Sequence, residues 1–165
     1  MDTCFREIGK SGAISDMLLM FAMGADDEDW MPYYNFQALP IDFAFLSISS
    51  TLRNLRRKRE FRGGVIRVEP NTSYMWHVDT DRHTSINMLL ADGGDSRCLF
   101  APHGIDIVTP IIELKYEPDT LYAFNTKMLH TVLNFSKPRY MFSVEFLDTD
   151  RGLTYEELCS DLDLT

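Results

Sequence analysis

The chain has 165 residues and a formal net charge of −9, with 45% hydrophobic, 12% aromatic and 25% charged residues. This composition excludes a disordered chain, and its acidic balance argues against non-specific nucleic-acid binding, which needs a basic surface. No apolar run approaches the roughly 20 residues that cross a bilayer. The opening MDTCFREIGK lacks the charged-then-apolar layout of a signal peptide. The length suits a single domain that buries a core without disulfides. Cys4, Cys98 and Cys159 are dispersed, odd in number and free of any CxxC pair. That usage fits inert thiols in a reducing compartment, so a cytoplasmic location away from membranes is expected.

In chain order, the first sixty residues read as helical or irregular. Residues 15–23 are rich in Met and Leu and predict a short buried helix. An acidic run, Asp26, Asp27, Glu28 and Asp29, precedes Trp30. Asp42 is placed to cap a helix whose apolar stripe is Phe43, Leu46, Leu52 and Leu55, ending near Glu60 because Gly63 and Gly64 follow. Arg53, Arg56, Arg57, Lys58, Arg59, Arg62 and Arg67 make a basic stretch, either a solvated face or a surface that steers an acidic partner.

From Gly64 the pattern changes to short segments rich in β-branched and aromatic residues, separated by turn signals. They fall at 65–69, 74–79, 84–90, 97–100, 105–108, 111–116, 120–125, 129–134 and 140–147. So many short strands without intervening helices predict a jelly roll or barrel, mainly β with N-terminal helices. Neither GxGxxG nor a phosphate-binding GK[ST] occurs. The expected organisation is one domain: helical support over 1–62, the β core over 63–148 and a tail over 149–165.

Trp76-His77-Val78-Asp79 carries the chemical signal. Residues i and i+2 of a strand share a face, so an imidazole and a carboxylate would lie side by side. His130 sits in a later predicted strand. Two histidines and one carboxylate leave metal positions open and favour non-haem Fe(II), although zinc or manganese accepts the same ligands. Arg139 follows nine residues after His130, where an antiparallel strand would return it to the same cavity. Asn87, Arg82, His83 and His103 are weaker polar candidates.

These residues, in this order, resemble those of the Fe(II)/2-oxoglutarate-dependent oxygenases. Tyr74-Met75-Trp76-His77-Val78-Asp79 resembles the YxxHxD pattern of the prolyl hydroxylase branch. His130-Thr131-Val132-Leu133-Asn134 followed by Arg139 resembles the HxVxN…R end shared with aspartyl/asparaginyl hydroxylase-like proteins. The resemblance spans residues 64–148. It implies a cupin-like double-stranded β-helix and metal ligation by His77, Asp79 and His130. It implies that Arg139 binds the distal carboxylate of 2-oxoglutarate, an acid that a guanidinium fork grips bidentately. Tyr74 matches a position that hydrogen-bonds the cosubstrate, but strict alternation puts it opposite His77, so this role requires a bulge. The implied reaction consumes 2-oxoglutarate and O₂ at Fe(II), with ascorbate as an accessory reductant, and hydroxylates an amino-acid side chain or small metabolite; the partner is a small molecule, peptide or protein.

Two departures accompany the match. Met141 stands where many members carry a Ser or Thr that helps hold the carboxylate, with Ser143 one alternation further on, and the glycine-rich strand is reduced to Gly93-Gly94. Two other classes share these residues: a cupin-like metal enzyme without 2-oxoglutarate, which has no need of Arg139, and a non-catalytic jelly-roll binding module.

Overall fold

The computed structural model describes residues 3–106, 108–147 and 152–164, and antiparallel pairing organises them. The strands are β1 (Phe5–Lys10), β2 (Met31–Tyr33), β3 (Phe36–Ile41), β4 (Phe61–Val68), β5 (Thr72–His77), β6 (Ser85–Ala91), β7 (Arg97–Phe100), β8 (Ile112–Glu113), β9 (Thr120–Phe124), β10 (His130–Asn134) and β11 (Arg139–Phe146). The helices are α1 (Ile14–Gly24), α2 (Phe43–Leu46), α3 (Ser50–Arg56) and α4 (Tyr155–Asp161). A seven-stranded sheet runs β1-β9-β6-β11-β4-β3-β2, and a four-stranded sheet runs β5-β10-β7-β8. This is a jelly roll. No helix among the described residues is long and apolar enough to cross a membrane.

The larger sheet uses its two faces differently. Along β11, Phe142 and Val144 are fully buried against the helical side, where Ile14, Leu18, Leu46, Leu52, Leu55 and Leu158 complete the main core. Arg139, Met141 and Ser143 alternate onto the other face, toward the smaller sheet. There a second cluster, including Cys4, Cys98, Phe100, Leu114 and Phe124, closes one end of the space between the sheets.

The N-terminal part departs from the expected helical support. It contributes three strands: β1 adds to one edge of the larger sheet, and β2 and β3 form the other. The β2–β3 hairpin turns at Tyr34-Asn35 with Tyr34 at φ 52°, a conformation that does not announce itself in a sequence without glycine. Pro32 and Pro40 lie inside these strands, where proline normally argues against pairing; Pro32 is in the outermost strand.

The helices are also adjusted. In α1 only Ile14, Leu18 and Ala22 are buried, at i, i+4 and i+8, while Met20 and Met23 are exposed, so the helix is amphipathic rather than wholly buried. Asp42 caps as expected, accepting from the Ala44 N–H at 2.6 Å. The single predicted helix is nevertheless two, α2 and α3, separated by Ser47-Ile48-Ser49. The basic stretch is largely committed to the fold. Arg67 lies 4.7 Å over the Trp30 ring and Arg59 pairs with Asp161 at 2.6 Å, whereas Arg62 pairs with Glu145 at 2.9 Å on the solvent-accessible surface. The strand expected at 105–108 includes Ile107, outside the described residues; Ile105, Asp106 and Val108 are not in strand.

Candidate metal centre and its cavities

Strands β5 and β10 bring the two histidines together. His77, the last residue of β5, pairs directly with His130, the first of β10, and their ring centroids are 4.2 Å apart. Each ring is fixed through Nδ1: His77 to the Met75 carbonyl at 2.6 Å, His130 to the Met128 carbonyl at 2.8 Å. A carbonyl only accepts, so each Nδ1 carries the proton and each Nε2 keeps its lone pair. Those Nε2 atoms lie 3.4 Å and 3.8 Å from the same oxygen, Asp79 Oδ1. His77, Asp79 and His130 thus form a group whose donor atoms all lie within 4.8 Å of one another. A hydrogen bond through the ring nitrogen behind each imidazole is the arrangement that orients metal-binding histidines.

Asp79 is not placed by strand alternation, because β5 ends at His77. It is pinned instead by its own backbone: Asp79 N–H donates to Thr126 O at 2.9 Å, and Lys127 Nζ donates to Asp79 O at 2.7 Å. Its Oδ2 takes Arg82 Nε at 2.9 Å and Nη2 at 2.8 Å, leaving Oδ1 to the histidines. Burial pushes the Asp79 carboxyl up, but the contact with His77 and the charge of Arg82 outweigh it and hold the group below the ordinary carboxylate range. Burial drives the His130 imidazole from 6.5 down to about 4, so it is neutral and able to ligate near neutral pH.

A bulge places Tyr74. The β5–β10 register advances three residues on β5 (Tyr74 to His77) for two on β10 (Val132 to His130). The extra residue turns Tyr74 onto the His77 face, where the two rings meet edge to face at 4.0 Å. Burial raises the Tyr74 phenol, so it remains a hydrogen-bond donor.

Arg139 comes from the opposite sheet. It opens β11, whereas His130 lies on β10, so it closes the cavity from across the fold rather than from a neighbouring strand. Its side chain is 1% exposed, and its Nε has no hydrogen-bond partner. No carboxylate pairs with it among the described residues. Its guanidinium lies 5.6 Å from the Tyr116 ring centroid. Tyr116, strongly raised by burial, donates to Met141 Sδ at 3.7 Å. Burial also moves the Cys98 thiol up to about 11, making it inert.

All of these groups line one cavity of about 70 Å³ between the sheets, with Ser85, Asn87, Met141 and Ser143 on the larger-sheet side. Ser85 Oγ and Asn87 Oδ1 are also buried without partners. Three unsatisfied polar atoms around one cavity suit a small polar ligand, since unpaired buried groups are costly. A second cavity of about 240 Å³ opens beside it over the β2–β3–β4 end of the larger sheet, and Ile66, Arg82 and Ser143 line both. His83 and His103 stand outside the three-residue group. Tyr116, Ser85 and the hairpin residue Tyr33 were not legible as site residues; Tyr116 carried only the signal of ending a predicted strand.

No family model and no curated protein matches the chain. Solved structures do. A prolyl-4-hydroxylase from Pseudomonas putida aligns with a TM-score of 0.64 at 19% identity, over 87% of this chain and 92% of that one. A prolyl hydroxylase from Trichoplax adhaerens, in complex with a hypoxia inducible factor peptide fragment, aligns with a TM-score of 0.64 at 13% identity, over 88% and 84%. The viral collagen prolyl hydroxylase of Paramecium bursaria Chlorella virus-1, in its 2OG complex, gives 0.57 at 15%, over 86% and 94%. The chain therefore has the jelly-roll fold of the prolyl hydroxylases and other 2OG-Fe(II) oxygenases.

Proposed function

We propose that the chain is a non-haem Fe(II)- and 2-oxoglutarate-dependent dioxygenase that hydroxylates an amino-acid side chain or small metabolite. One observation carries this reading: two imidazole Nε2 atoms and one carboxylate oxygen converge in a cavity that also holds a buried guanidinium with no acidic partner among the described residues. The donor set suits the metal, because it leaves coordination positions free for a cosubstrate and oxygen. The guanidinium suits the cosubstrate, because a dicarboxylic acid supplies the anion that it lacks. A metal enzyme without 2-oxoglutarate has no use for such an arginine.

In this reading His77, Asp79 and His130 hold Fe(II), and Arg139 takes the distal carboxylate of 2-oxoglutarate. When bound, the metal and cosubstrate supply the chemistry that oxidises a substrate C–H bond with O₂, releasing CO₂ and succinate. The chain supplies position. The Met75 and Met128 carbonyls hold the imidazole tautomers, Arg82 holds Asp79 by one oxygen, and the Tyr116 hydroxyl, beside Arg139, would donate to a carboxylate bound there. Tyr116 would thereby do the work of the Ser or Thr that Met141 replaces. Tyr74 offers its phenol from the His77 side, and Phe124, Phe36 and Val132 keep the walls dry.

Incubation with Fe(II), ascorbate, O₂ and labelled 2-oxoglutarate tests the assignment. Succinate release above a metal-free control is expected. No release, together with no thermal stabilisation by 2-oxoglutarate, overturns it.

A further inference from the structure

The lining of the larger cavity includes none of His77, Asp79, His130 and Arg139, and its chemistry differs from that of the smaller. Its floor is set by strand register. Pro40, Gly64 and Ser143 lie in one row across β3, β4 and β11, and Ala38 and Ile66 in the next, which continues to Met141 in the smaller cavity. The middle of the floor is small and apolar. At the far end Arg62 and Glu145 are direct cross-strand partners, with Arg62 Nε 2.9 Å from Glu145 Oε2. This pair is solvent-accessible, at 67% and 31% of the two side chains, so it is weakly held and open to exchange with a ligand. Tyr33 stands over the floor with its phenol in electrostatic reach of Arg62, Glu145 and Arg82.

Distance follows from the ladder. Ser143, at the junction of the two cavities, and Glu145, at the ion pair, are one two-residue step apart on β11, about 7 Å. A group on the ion pair therefore sits about 7 Å along β11 from the junction with the smaller cavity. Arg82 marks that junction: Nε and Nη2 are committed to Asp79, so its charge is already balanced. The charges left for a ligand are one guanidinium and one carboxylate, adjacent and opposite, which match an ammonium and a carboxylate on one carbon. An interior residue of a peptide offers neither. Pro32, in the outermost strand β2, also has no N–H to donate to an added peptide strand.

We propose that this cavity is the substrate subsite and that it takes a free α-amino acid with an apolar side chain. Arg62 receives the α-carboxylate and Glu145 the α-ammonium, and the side chain lies along Pro40, Gly64 and Ile66 toward the junction. This assignment rests on the dioxygenase reading for its chemistry, but not for its binding geometry.

Calorimetric titration of the Fe(II)-loaded protein under nitrogen tests it, using 2-oxoglutarate and then L-leucine, L-isoleucine, L-methionine and L-proline. Each amino acid is compared with its N-acetyl and its carboxamide derivative. At least one free amino acid is expected to bind, and blocking either end to weaken it about tenfold or more, the loss of one charge-assisted hydrogen bond. Arg62→Gln and Glu145→Gln are each expected to weaken it to the same degree while leaving 2-oxoglutarate affinity unchanged. Binding of 2-oxoglutarate with no amino-acid binding, or with equal binding of blocked and free forms, overturns the subsite assignment alone. Amino-acid binding without 2-oxoglutarate binding upholds the subsite and overturns the dioxygenase reading.

Discussion

Arg82 grips one oxygen of Asp79 with two nitrogens and leaves the other oxygen to His77 and His130. The guanidinium therefore decides which lone pairs of the carboxylate face the two imidazoles. In Arg82→Gln the carboxylate is free to rotate and loses its neighbouring positive charge. Such outer partners are typically worth about 10- to 100-fold in metal affinity. Competition titration of Fe(II) or Mn(II) is expected to show a loss of that size. Unchanged affinity would show that the hydrogen bonds of the Asp79 backbone with Thr126 O and Lys127 Nζ alone fix Asp79.

Arg139 is the reverse case, a charge whose burial the folded chain does not itself compensate with an acid among the described residues. Removing it relieves a desolvation cost. Arg139→Met, close in volume, is expected to leave the melting temperature of the ligand-free protein unchanged or raised and to spare metal binding. Affinity for 2-oxoglutarate is expected to fall about 10- to 100-fold, the worth of a charge-assisted pair. A large drop in melting temperature with intact 2-oxoglutarate binding would mark Arg139 as a structural residue.

Much of the candidate site was legible because a metal-binding reading constrains residue type more tightly than it constrains backbone. His77, Asp79, His130 and Arg139 could be singled out by type and order, and the turn signals after Gly64 located most strands. What the sequence did not show is geometry produced by tertiary pairing. The bulge that brings Tyr74 onto the His77 face exists only against β10. Asp79 lies beyond the strand end because Thr126, 47 positions later, captures its N–H. The β2–β3 hairpin was hidden by two prolines and a turn without glycine, and with it went the wall of the second cavity. Arg139 and His130 are near in sequence yet on different sheets, a relationship that spacing alone does not reveal.

His130 makes the ligand-free protein sensitive to acid. Its folded value of about 4 lies below the ordinary 6.5, so the unfolded chain binds the proton more readily. Between those values the unfolded state holds more protons, and stability rises with pH. The full contribution is present above about 6.5 and is lost as the pH falls toward 4, on the order of 3 kcal/mol for this one group. Denaturant melts of metal-free protein across that range are expected to show the decline. His130→Gln is expected to flatten it; an equal slope in the variant would assign the acid sensitivity to other groups.

Gly63 shows how a residue read as a helix stop serves packing instead. With Gly64 it lies inside β4, which begins two residues earlier at Phe61. Gly63 faces the helical side, and a Cβ there would sit 2.7 Å from Leu46 Cδ1 and 2.9 Å from Phe142 Cε2. Leu46 and Phe142 are both fully buried, so neither side chain has solvent to move into. The missing Cβ is what lets α2 rest on the sheet. Gly63→Ala is expected to cost about 1–3 kcal/mol, the usual penalty for overpacking a dense core. The metal group lies on the other face of the sheet, so metal affinity below the melting transition is expected to be unchanged. Equilibrium denaturation and metal titration of the same variant separate the two effects, and a loss of metal affinity at full stability would mean that strain in β4 reaches the site through Ile66 and Val68, the two β4 residues that line its cavity.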